Sequence, residues 1–240
     1  MCGILALFGD EVEASSHLLS HRGPDDYRTN TIGKCRMDFY RLAINDLTDA
    51  GMQPFVEDRE MLICNGEIYN HREFRSGKEK SASDCEVLLP LVKDFGIMKT
   101  VDMINGDFAF VWTNGKRIMA ARDPVGVRPM FYTRYAENSI AFASEVKALL
   151  FLRSEIQIFP PGHIYDSYIN DFVCYHTGYW RVNKHIKNGF KLQIRQGFEN
   201  AVHDRLNNTH RDIGFLLSGG LDSSLIASIA SRKLGKLRTF

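Results

Sequence analysis

Cys2 is the residue of this sequence best placed for covalent chemistry, because it stands directly behind the initiator methionine. Small residues at the second position permit removal of Met1, so we expect the mature chain to begin with Cys2. A terminal cysteine carries a thiol and a free α-amine, and the amine has a reference pKa of about 7.7–8.0 and acts as a base near neutral pH. The position predicts a nucleophilic thiol with its own base; the alternative is a small buried hydrophobic residue.

A second candidate site is a run of serine and glycine between an apolar segment and a helical one near the end of the sequence. Small residues at such a turn let backbone N–H groups point at an anion, and the following helix adds the positive end of its dipole. The hydroxyls of Ser218, Ser223 and Ser224 add donors. The run lacks the GK[ST] sequence of a Walker A loop, so it predicts a phosphate site of another kind.

Short strands and turns dominate the sequence up to about Thr177, which predicts a layered α+β domain with largely antiparallel sheets. One helix is expected over Glu13–His21, and another begins at a capping box of Ser83 and Glu86 and ends near Gly96. Asn-Gly at 114–115 predicts a hairpin with a type I′ turn. The predicted strands are Ile4–Phe8, Cys35–Ile44, Met61–Asn65, Phe108–Trp112, Arg117–Ala121, Pro129–Arg134 and Ser139–Ala143.

The pattern changes after residue 177, and we predict a domain over residues 2–177, a linker over 178–189 and the start of another domain over 190–240. The second domain is expected to open with a helix over Phe190–Leu206 and a strand over Ile213–Leu217. The glycine turn, a helix over Asp222–Leu234 and a strand over Leu237–Phe240 follow. Helix–strand–loop–helix–strand is the opening of a parallel α/β domain, and these residues are too few to complete one.

Composition excludes several functional classes. The chain has 240 residues, of which 44% are hydrophobic and 25% charged, with a net charge of +1. That balance is typical of a globular protein, and it gives no bulk electrostatic reason to bind nucleic acid or an anionic membrane. The sequence has no apolar run of the ~18 residues that a membrane span needs. The five cysteines are an odd number without CxxC spacing, which favours a reduced, cytoplasmic protein.

Several motifs, in order along the chain, resemble the class II glutamine amidotransferases, and the best match among them is the family of glutamine-dependent asparagine synthetases. These are N-terminal-nucleophile enzymes, so the resemblance implies a four-layer αββα sandwich followed by the beginning of a parallel α/β nucleotide-binding domain. The motifs are MCGI at 1–4, HRGPD at 21–25, NGEIYN at 65–70, SDCE at 83–86, GDFAF at 106–110, RDPVGVRP at 122–129 and ASEVKAL at 143–149.

The resemblance implies that Cys2 attacks the side-chain amide of glutamine, with Asn65 and Gly66 as the oxyanion hole. An arginine binds both oxygens of an α-carboxylate well, and Arg41 matches the family's residue for that role. Asp84 matches the acceptor for the α-ammonium, with Glu67 nearby, and His21 and Arg22 are supporting residues. The full set of glutamine-binding residues implied is Arg41, Leu42, Ala43, Ile44, Asn45, Asn65, Gly66, Glu67 and Asp84.

The glycine turn matches the SGGxDS loop of ATP pyrophosphatases, which implies ATP and Mg²⁺ as substrates of a synthetase half and no cofactor for the glutaminase half. Asp222 is then placed near Mg²⁺, a hard cation that prefers oxygen ligands. The ATP-binding residues implied are Leu217, Ser218, Gly219, Gly220, Asp222, Ser223 and Ser224. The expected partners are glutamine, aspartate and ATP, and a C-terminal synthetase chain or a second copy of this one.

Two other functions remain open at this stage. Another class II amidotransferase would share Cys2 and the glutamine pocket but lack the SGGLDSS loop. A non-catalytic, partner-binding remnant would use the unpaired edge of an unfinished sheet to associate. Our interpretation is an asparagine synthetase sequence of which this chain alone hydrolyses glutamine and makes no asparagine.

Overall fold

The computed structural model describes residues 1–9, 17–177 and 189–240. The backbone divides into two compact units, Met1–Trp180 and Arg181–Phe240. The linker predicted over 178–189 lies almost wholly outside the described residues.

The first sheet contains six strands in the order β10-β8-β9-β1-β3-β2, all of them antiparallel to their neighbours. Its central strand is β1, which is buried along its whole length and lies between β3 and β9. The strands of this sheet are β1 (Gly3–Phe8), β2 (Asp26–Ile32), β3 (Cys35–Arg41), β8 (Phe131–Ala136), β9 (Ser139–Ala143) and β10 (Gln157–Ile158).

The second sheet also has six antiparallel strands, in the order β12-β11-β7-β6-β5-β4. Its longest strand, β5, pairs with β6 over its last eight residues, from Met61 opposite Thr113 to Ile68 opposite Gly106. The strands are β4 (Phe55–Glu57), β5 (Glu60–Ile68), β6 (Gly106–Thr113), β7 (Ile118–Arg122), β11 (His163–Asp166) and β12 (Asp171–Cys174).

The main hydrophobic core lies between the two sheets. Side chains alternate across a strand, so Ile4, Ala6 and Phe8 of β1 face the second sheet while Leu5 and Leu7 face outward. The inward residues pack with partners from the second sheet, among them Ile63, Val111 and Ala120. A strand buried on both faces is expected to be apolar throughout, which explains the sequence of β1.

Helical segments cover both outer faces of this pair of sheets. Helices α1 (Leu88–Phe95) and α2 (Ile97–Met103) pack on the second sheet. Residues near Leu149 pack on the first, against Leu5 and Leu7. Among the described residues, the 3-10 helices are Asp49–Gly51, His71–Phe74, Asp84–Val87, Val146–Ala148 and Leu150–Leu152. The expected α+β sandwich is confirmed; in the described residues, the layer on the first sheet consists of 3-10 helices and turns.

Three local predictions need correction. The helix predicted over Glu13–His21 is a turn in its described part, residues 17–21; residues 13–16 lie outside the described residues. The hairpin between β6 and β7 is confirmed, but it has a four-residue connection in which Gly115, and not Asn114, has a positive φ of 81°. The turn differs from type I′ because the Asn114 carboxamide accepts the N–H groups of Lys116 and Arg117.

The capping box predicted at Ser83 and Glu86 is also wrong. The Ser83 side chain makes no capping hydrogen bond, and the chain first forms the 3-10 helix Asp84–Val87 before α1 begins. The Glu86 carboxylate instead accepts the backbone N–H groups of Lys80 and Ser81, at 2.8 and 2.9 Å. Because the Glu86 carboxylate binds the preceding loop, it does not cap the helix, and this explains why no capping box forms.

The second unit consists of α3 (Phe190–Asn207), β13 (Gly214–Phe215), α4 (Leu221–Leu234) and β14 (Arg238–Thr239). β13 and β14 are parallel, with α4 between them in the sequence, so the predicted opening of a parallel α/β domain is confirmed. β13 is shorter than the predicted strand Ile213–Leu217. The small core of the second unit comprises Val202, Ile229 and Ala230. None of the described helices has the length and apolar character needed to cross a membrane.

Candidate active site

Cys2 lies immediately before β1, and the packing of that strand fixes its position. A Cβ at Gly3 would lie 2.8 Å from the Leu19 Cβ, so the backbone here approaches its neighbour too closely for a side chain. The Cys2 Sγ is 3.4 Å from the Leu42 nitrogen, which donates to it, and 3.5 Å from the Leu42 carbonyl oxygen. Burial raises the pKa of the Cys2 thiol. Cys2 therefore needs a nearby base to become a thiolate.

The terminal amine provides a group of the required kind. Burial lowers the pKa of the Met1 ammonium, and the positive charges of Arg22 and Arg128 act in the same direction, against the Cys2 thiolate. Removal of Met1 would place the α-amine on Cys2 itself, one bond from the carbon that bears the thiol side chain. The lowered pKa of the Met1 ammonium favours its neutral form, and a neutral amine is the form that accepts a proton.

A cavity of about 40 Å³ opens beside the Cys2 thiol. All but one of the predicted glutamine-binding residues line it, together with Cys2. They are Arg41, Leu42, Ala43, Ile44, Asn45, Gly66, Glu67 and Asp84. The fold thus brings three separate sequence segments to one cavity: the end of β3 with its loop, β5, and the start of the 3-10 helix at Asp84.

Asn65 is the predicted residue outside that lining, and its side chain is buried on β5 with 1% exposure. Its amide nitrogen Nδ2 has no hydrogen-bond partner among the described residues. The buried Nδ2 atom of Asn45, in the cavity lining, is also unpartnered there. An unpaired buried donor costs about 1–3 kcal/mol, so its retention calls for an explanation, and a ligand that accepts hydrogen bonds is one.

Gly66 follows Asn65 and lies opposite Phe108 in the β5–β6 pair. A Cβ at this position would be 2.6 Å from the Asp107 carbonyl oxygen and 2.9 Å from the Phe108 Cα. Both contacts are with backbone atoms, which cannot move aside as a flexible side chain can. The close approach of the two strands therefore requires glycine here, whatever role its N–H group has.

Arg41 ends β3 and is 95% buried, with its guanidinium held by the loop that follows. Nη1 donates to the Thr48 carbonyl oxygen at 2.6 Å, and Nη2 donates to the Asp46 carbonyl oxygen. Gly51 makes room for it, since a Cβ there would lie 2.6 Å from Nη2. A guanidinium has five N–H donors, so two such bonds leave donors for a carboxylate.

Two carboxylates line the same cavity and are themselves anchored. Glu67 Oε1 accepts from Arg128 Nη2 at 3.2 Å, and the Arg128 Nε donates to the Asp107 carbonyl oxygen at 3.3 Å. Asp84 Oδ2 accepts the Ile68 N–H at 2.7 Å. Anchored carboxylates facing a cavity create a site for a cationic group.

Asp123 shapes the loop that carries Arg128, a role that the motif at 122–129 did not reveal in the sequence. Its carboxylate is 1% exposed and accepts four consecutive backbone N–H groups, from Val125 to Arg128. Arg122 closes the same loop by donating to the carbonyl oxygens of Gly126 and Arg128. The sequence also gave no sign that Phe39, Gly51, Gln53, Cys64, Ser83 and Cys85 line the cavity.

We predict that Asp123→Ala lowers the free energy of unfolding by about 3 kcal/mol, because it removes the charged acceptor of four backbone N–H groups, one of them on buried Arg128. Chemical denaturation measures this value. Asp94→Ala is the matched control: Asp94 is exposed on α1, and its loss should change stability by less than about 0.5 kcal/mol. Equal effects in the two variants would contradict the role given to Asp123.

The second candidate site lies in the second unit, where residues 216–220 join β13 to α4. Ser218 Oγ and Ser223 Oγ are 3.1 Å apart, and Ser223 Oγ donates to the Gly220 carbonyl oxygen. Gly219 has a φ of 81°, and a Cβ there would meet no atom within 4 Å. Asp222 stands in the first turn of α4. Exposed hydroxyls, a helix N-terminus and one carboxylate fit a phosphate group with a magnesium ion.

Comparison with known proteins agrees with this geometry. The sequence model of the glutamine amidotransferase domain family matches residues 1–197, and that of the asparagine synthase family matches residues 193–240. Asparagine synthetase [glutamine-hydrolyzing] 2 of Oryza sativa subsp. japonica is 38% identical over 99% of this chain and 43% of its own length. The probable asparagine synthetase [glutamine-hydrolyzing] of Dictyostelium discoideum is 40% identical over 97% of this chain and 46% of its own.

Solved structures support the fold. The glutamine phosphoribosylpyrophosphate amidotransferase from B. subtilis aligns over 100% of this chain and 65% of its own, with a TM-score of 0.58 at 17% identity. An allosteric regulatory enzyme of purine biosynthesis aligns over 100% of this chain and 64% of its own, with a TM-score of 0.60 at 18% identity. The chain spans less than half the length of the asparagine synthetases compared above. It belongs to the glutamine amidotransferase domain family, and residues 193–240 match the sequence model of the asparagine synthase family.

Proposed function

We propose that this chain carries the glutamine-hydrolysing half of an asparagine synthetase and the start of the ATP-dependent half. The observation that carries the proposal is the meeting of Cys2, Gly66 and the anchored Asp84 at one cavity, with the unpartnered amide of Asn65 beside them. A thiol, donors for an oxyanion and charged groups for a zwitterion are the components that glutamine hydrolysis needs.

The proposed reaction begins when the α-amine of Cys2 takes the thiol proton. The thiolate attacks the side-chain amide carbon of glutamine, and the carbonyl oxygen becomes an oxyanion that accepts from the Asn65 amide and the Gly66 N–H. The carbon–nitrogen bond then breaks, ammonia leaves with the proton held by the α-amine, and a thioester remains on Cys2. Water hydrolyses the thioester to glutamate and restores the thiol.

The charged groups of the cavity orient the substrate in this proposal. Arg41 receives the α-carboxylate, because its guanidinium lines the cavity and is held in place by two loop carbonyls. Asp84 receives the α-ammonium, with Glu67 nearby. Leu42, Ala43, Ile44 and Asn45 form the wall that surrounds the extended side chain. When both charged groups on its α-carbon are held, the substrate directs its amide tail at the thiol.

In the ATP-dependent half, the serine and glycine residues at 218–224 hold the pyrophosphate part of ATP, and Leu217 lines its site. Mg²⁺, with Asp222 as one oxygen ligand, neutralises phosphate charge when bound. Aspartate would be activated as β-aspartyl-AMP with release of pyrophosphate, and ammonia would displace AMP to give asparagine. We place the protein in the cytoplasm, and its partners are these small molecules and either the remaining synthetase residues or a second copy.

Glutamate release from glutamine by the purified chain tests the proposal. Intact mass first establishes whether Met1 has been removed, since the unprocessed form has an amide in place of the base and should be inactive. We expect the processed chain to release glutamate and ammonia in equal amounts, and D-glutamine, in which the α-carboxylate and α-ammonium exchange places, to be a poor substrate. A folded, processed chain that releases no glutamate would refute the proposal.

A further inference from the structure

Three basic side chains, those of His21, Arg22 and Lys147, meet at the carboxylate of Glu145. Glu145 Oε1 lies 2.9 Å from His21 Nε2 and accepts from Arg22 Nη1 at 3.1 Å, while Oε2 lies 3.2 Å from Lys147 Nζ. Partial burial opposes ionisation of this carboxyl, but the hydrogen bonds from Arg22, His21 and Lys147 lower its pKa below the usual value. Glu145 is therefore an anion at neutral pH with one buried partner and two exposed ones.

Arg22 is the buried partner, and it connects Glu145 to the nucleophile. Its side chain is 10% exposed, and its Nε donates to the carbonyl oxygen of Cys2 at 3.0 Å. The guanidinium is planar and rigid, so an acceptor that fixes Nη1 also fixes the direction of the Nε–H bond. The orientation of Arg22 against Cys2 thus depends on the place of the Glu145 carboxylate.

Glu145 is itself held in register with β1. Ser144, the residue before it, donates its N–H to the Ile4 carbonyl oxygen at 3.0 Å and accepts the Ile4 N–H on Oγ at 3.1 Å. The backbone at Glu145 is therefore tied to the strand that Cys2 precedes. Arg22, Glu145 and β1 close a ring of contacts around the Cys2 carbonyl group.

A terminal residue is held less firmly than an internal one, because it has no preceding peptide bond. With Met1 removed, rotation about the Cα–C bond of Cys2 moves both the α-amine and the thiol relative to the cavity. A hydrogen bond to the Cys2 carbonyl oxygen holds the Cys2–Gly3 peptide plane. The Cys2 Cα, from which the amine and the thiol side chain project, is attached to that plane. Loss of that restraint would misplace the base and the nucleophile together.

We propose that Glu145 is a positioning residue for the nucleophile: its carboxylate holds Arg22 in the orientation that fixes the carbonyl group of Cys2. The inference rests on the proposed function, since it concerns the geometry of that reaction. It assigns a role to the motif at 143–149, whose residues do not line the cavity.

The test uses Glu145→Gln, which keeps the size of the side chain but removes its charge, in the processed 240-residue chain. We expect kcat for glutamine to fall about five- to tenfold, since small misplacements of reacting groups cost large factors in rate. KM should stay within about twofold, because the groups that hold the substrate are untouched. The matched control is Lys147→Met, which removes an exposed partner of Glu145 that does not lead to Cys2; its kcat should stay within about twofold.

A double-variant cycle tests whether Glu145 acts on Cys2 through Arg22. Arg22→Lys alone should lower kcat, and Glu145→Gln should add less than about twofold in that background, because both changes break one chain of contacts. Effects that multiply in the double variant would overturn the proposal, as would a Glu145→Gln enzyme with unchanged kcat or a Lys147→Met enzyme equally impaired. Thermal midpoints of the variants show whether a loss reflects unfolding, and a variant that fails to fold is replaced by Glu145→Asp in the same comparisons.

A second readout separates this proposal from the proposed function. Alkylation of Cys2 by iodoacetamide, followed by peptide mass, needs no glutamine and no oxyanion donor. We expect its rate in Glu145→Gln to differ at least about threefold from the rates in the parent chain and in Lys147→Met. If the parent chain released no glutamate, this comparison would still decide: equal alkylation rates in all three proteins would overturn the role of Glu145.

Discussion

Cys2→Ala is expected to lower glutamate release from glutamine at least about 10³-fold, the largest loss predicted for any single change in this chain. The reason is chemical: without the thiol, no thioester forms, and water alone must attack the amide. The measurement is the initial rate of glutamate formation by the processed protein, compared with the parent chain at equal concentration. Binding should survive, since Arg41 and Asp84 remain in the cavity.

Cys174→Ala is the matched control for that experiment. Cys174 is the exposed free cysteine of β12, while Cys35, Cys64 and Cys85 are buried in the cores. We expect its loss to leave the rate within about twofold of the parent chain, because surface substitutions away from a site have small effects. Residual activity in Cys2→Ala above a hundredth of the parent rate would exclude Cys2 as the nucleophile.

Asn65→Ala should lower kcat on the order of 10²–10³-fold while KM changes by less than about threefold, because an oxyanion donor acts on the transition state and hardly on the bound amide. The stability of the variant should change little. The buried Nδ2 atom has no partner among the described residues, so its removal breaks no hydrogen bond there. We therefore expect the free energy of unfolding to fall by no more than about 1 kcal/mol.

The control for Asn65→Ala is the reactivity of Cys2 itself. Alkylation by iodoacetamide forms no oxyanion, so the variant should react at the rate of the parent chain. A loss of alkylation in parallel with glutamate release would mean that Asn65 supports the thiol and does not stabilise the oxyanion. An unchanged kcat would show that Asn65 takes no part in the reaction. A different ligand would then have to explain its unpaired amide.

Motif order in the sequence was sufficient to predict Cys2 and eight of the other residues that line the cavity, and it missed the remaining six. Arg41, Gly66 and Asp84 lie on different elements, yet all three reach the cavity next to Cys2, as the resemblance implied. The layered architecture was predictable for a simpler reason. β1, β5 and β6 each contain a continuous apolar run, as expected of strands buried on both faces, and two sheets with apolar faces bury them by stacking.

Hydrogen bonds to backbone atoms of the loops could not be predicted from the sequence. The Arg41 guanidinium is held by the carbonyl oxygens of Asp46 and Thr48, and backbone acceptors carry no side-chain signal in a sequence. The same limit explains the wrong capping-box prediction at Glu86. The spacing from Ser83 fits a capping box, but the Glu86 carboxylate accepts backbone N–H groups of the preceding loop. Glu145 was recognisable as part of a motif, but its bond to Arg22 joins residues 123 positions apart.

The central place of β1 in its sheet has a consequence for the timing of synthesis. β1 ends at Phe8, whereas β9, one of the two neighbours of β1, ends at Ala143. At about 5–20 residues per second, roughly 7–30 s separate these two points on the ribosome. During that interval β1 lacks one of its two neighbours and can pair only with β3, which ends at Arg41. Because β9 pairs with one side of β1, the sheet encloses the strand that follows Cys2 only after the residues of β9 have been made.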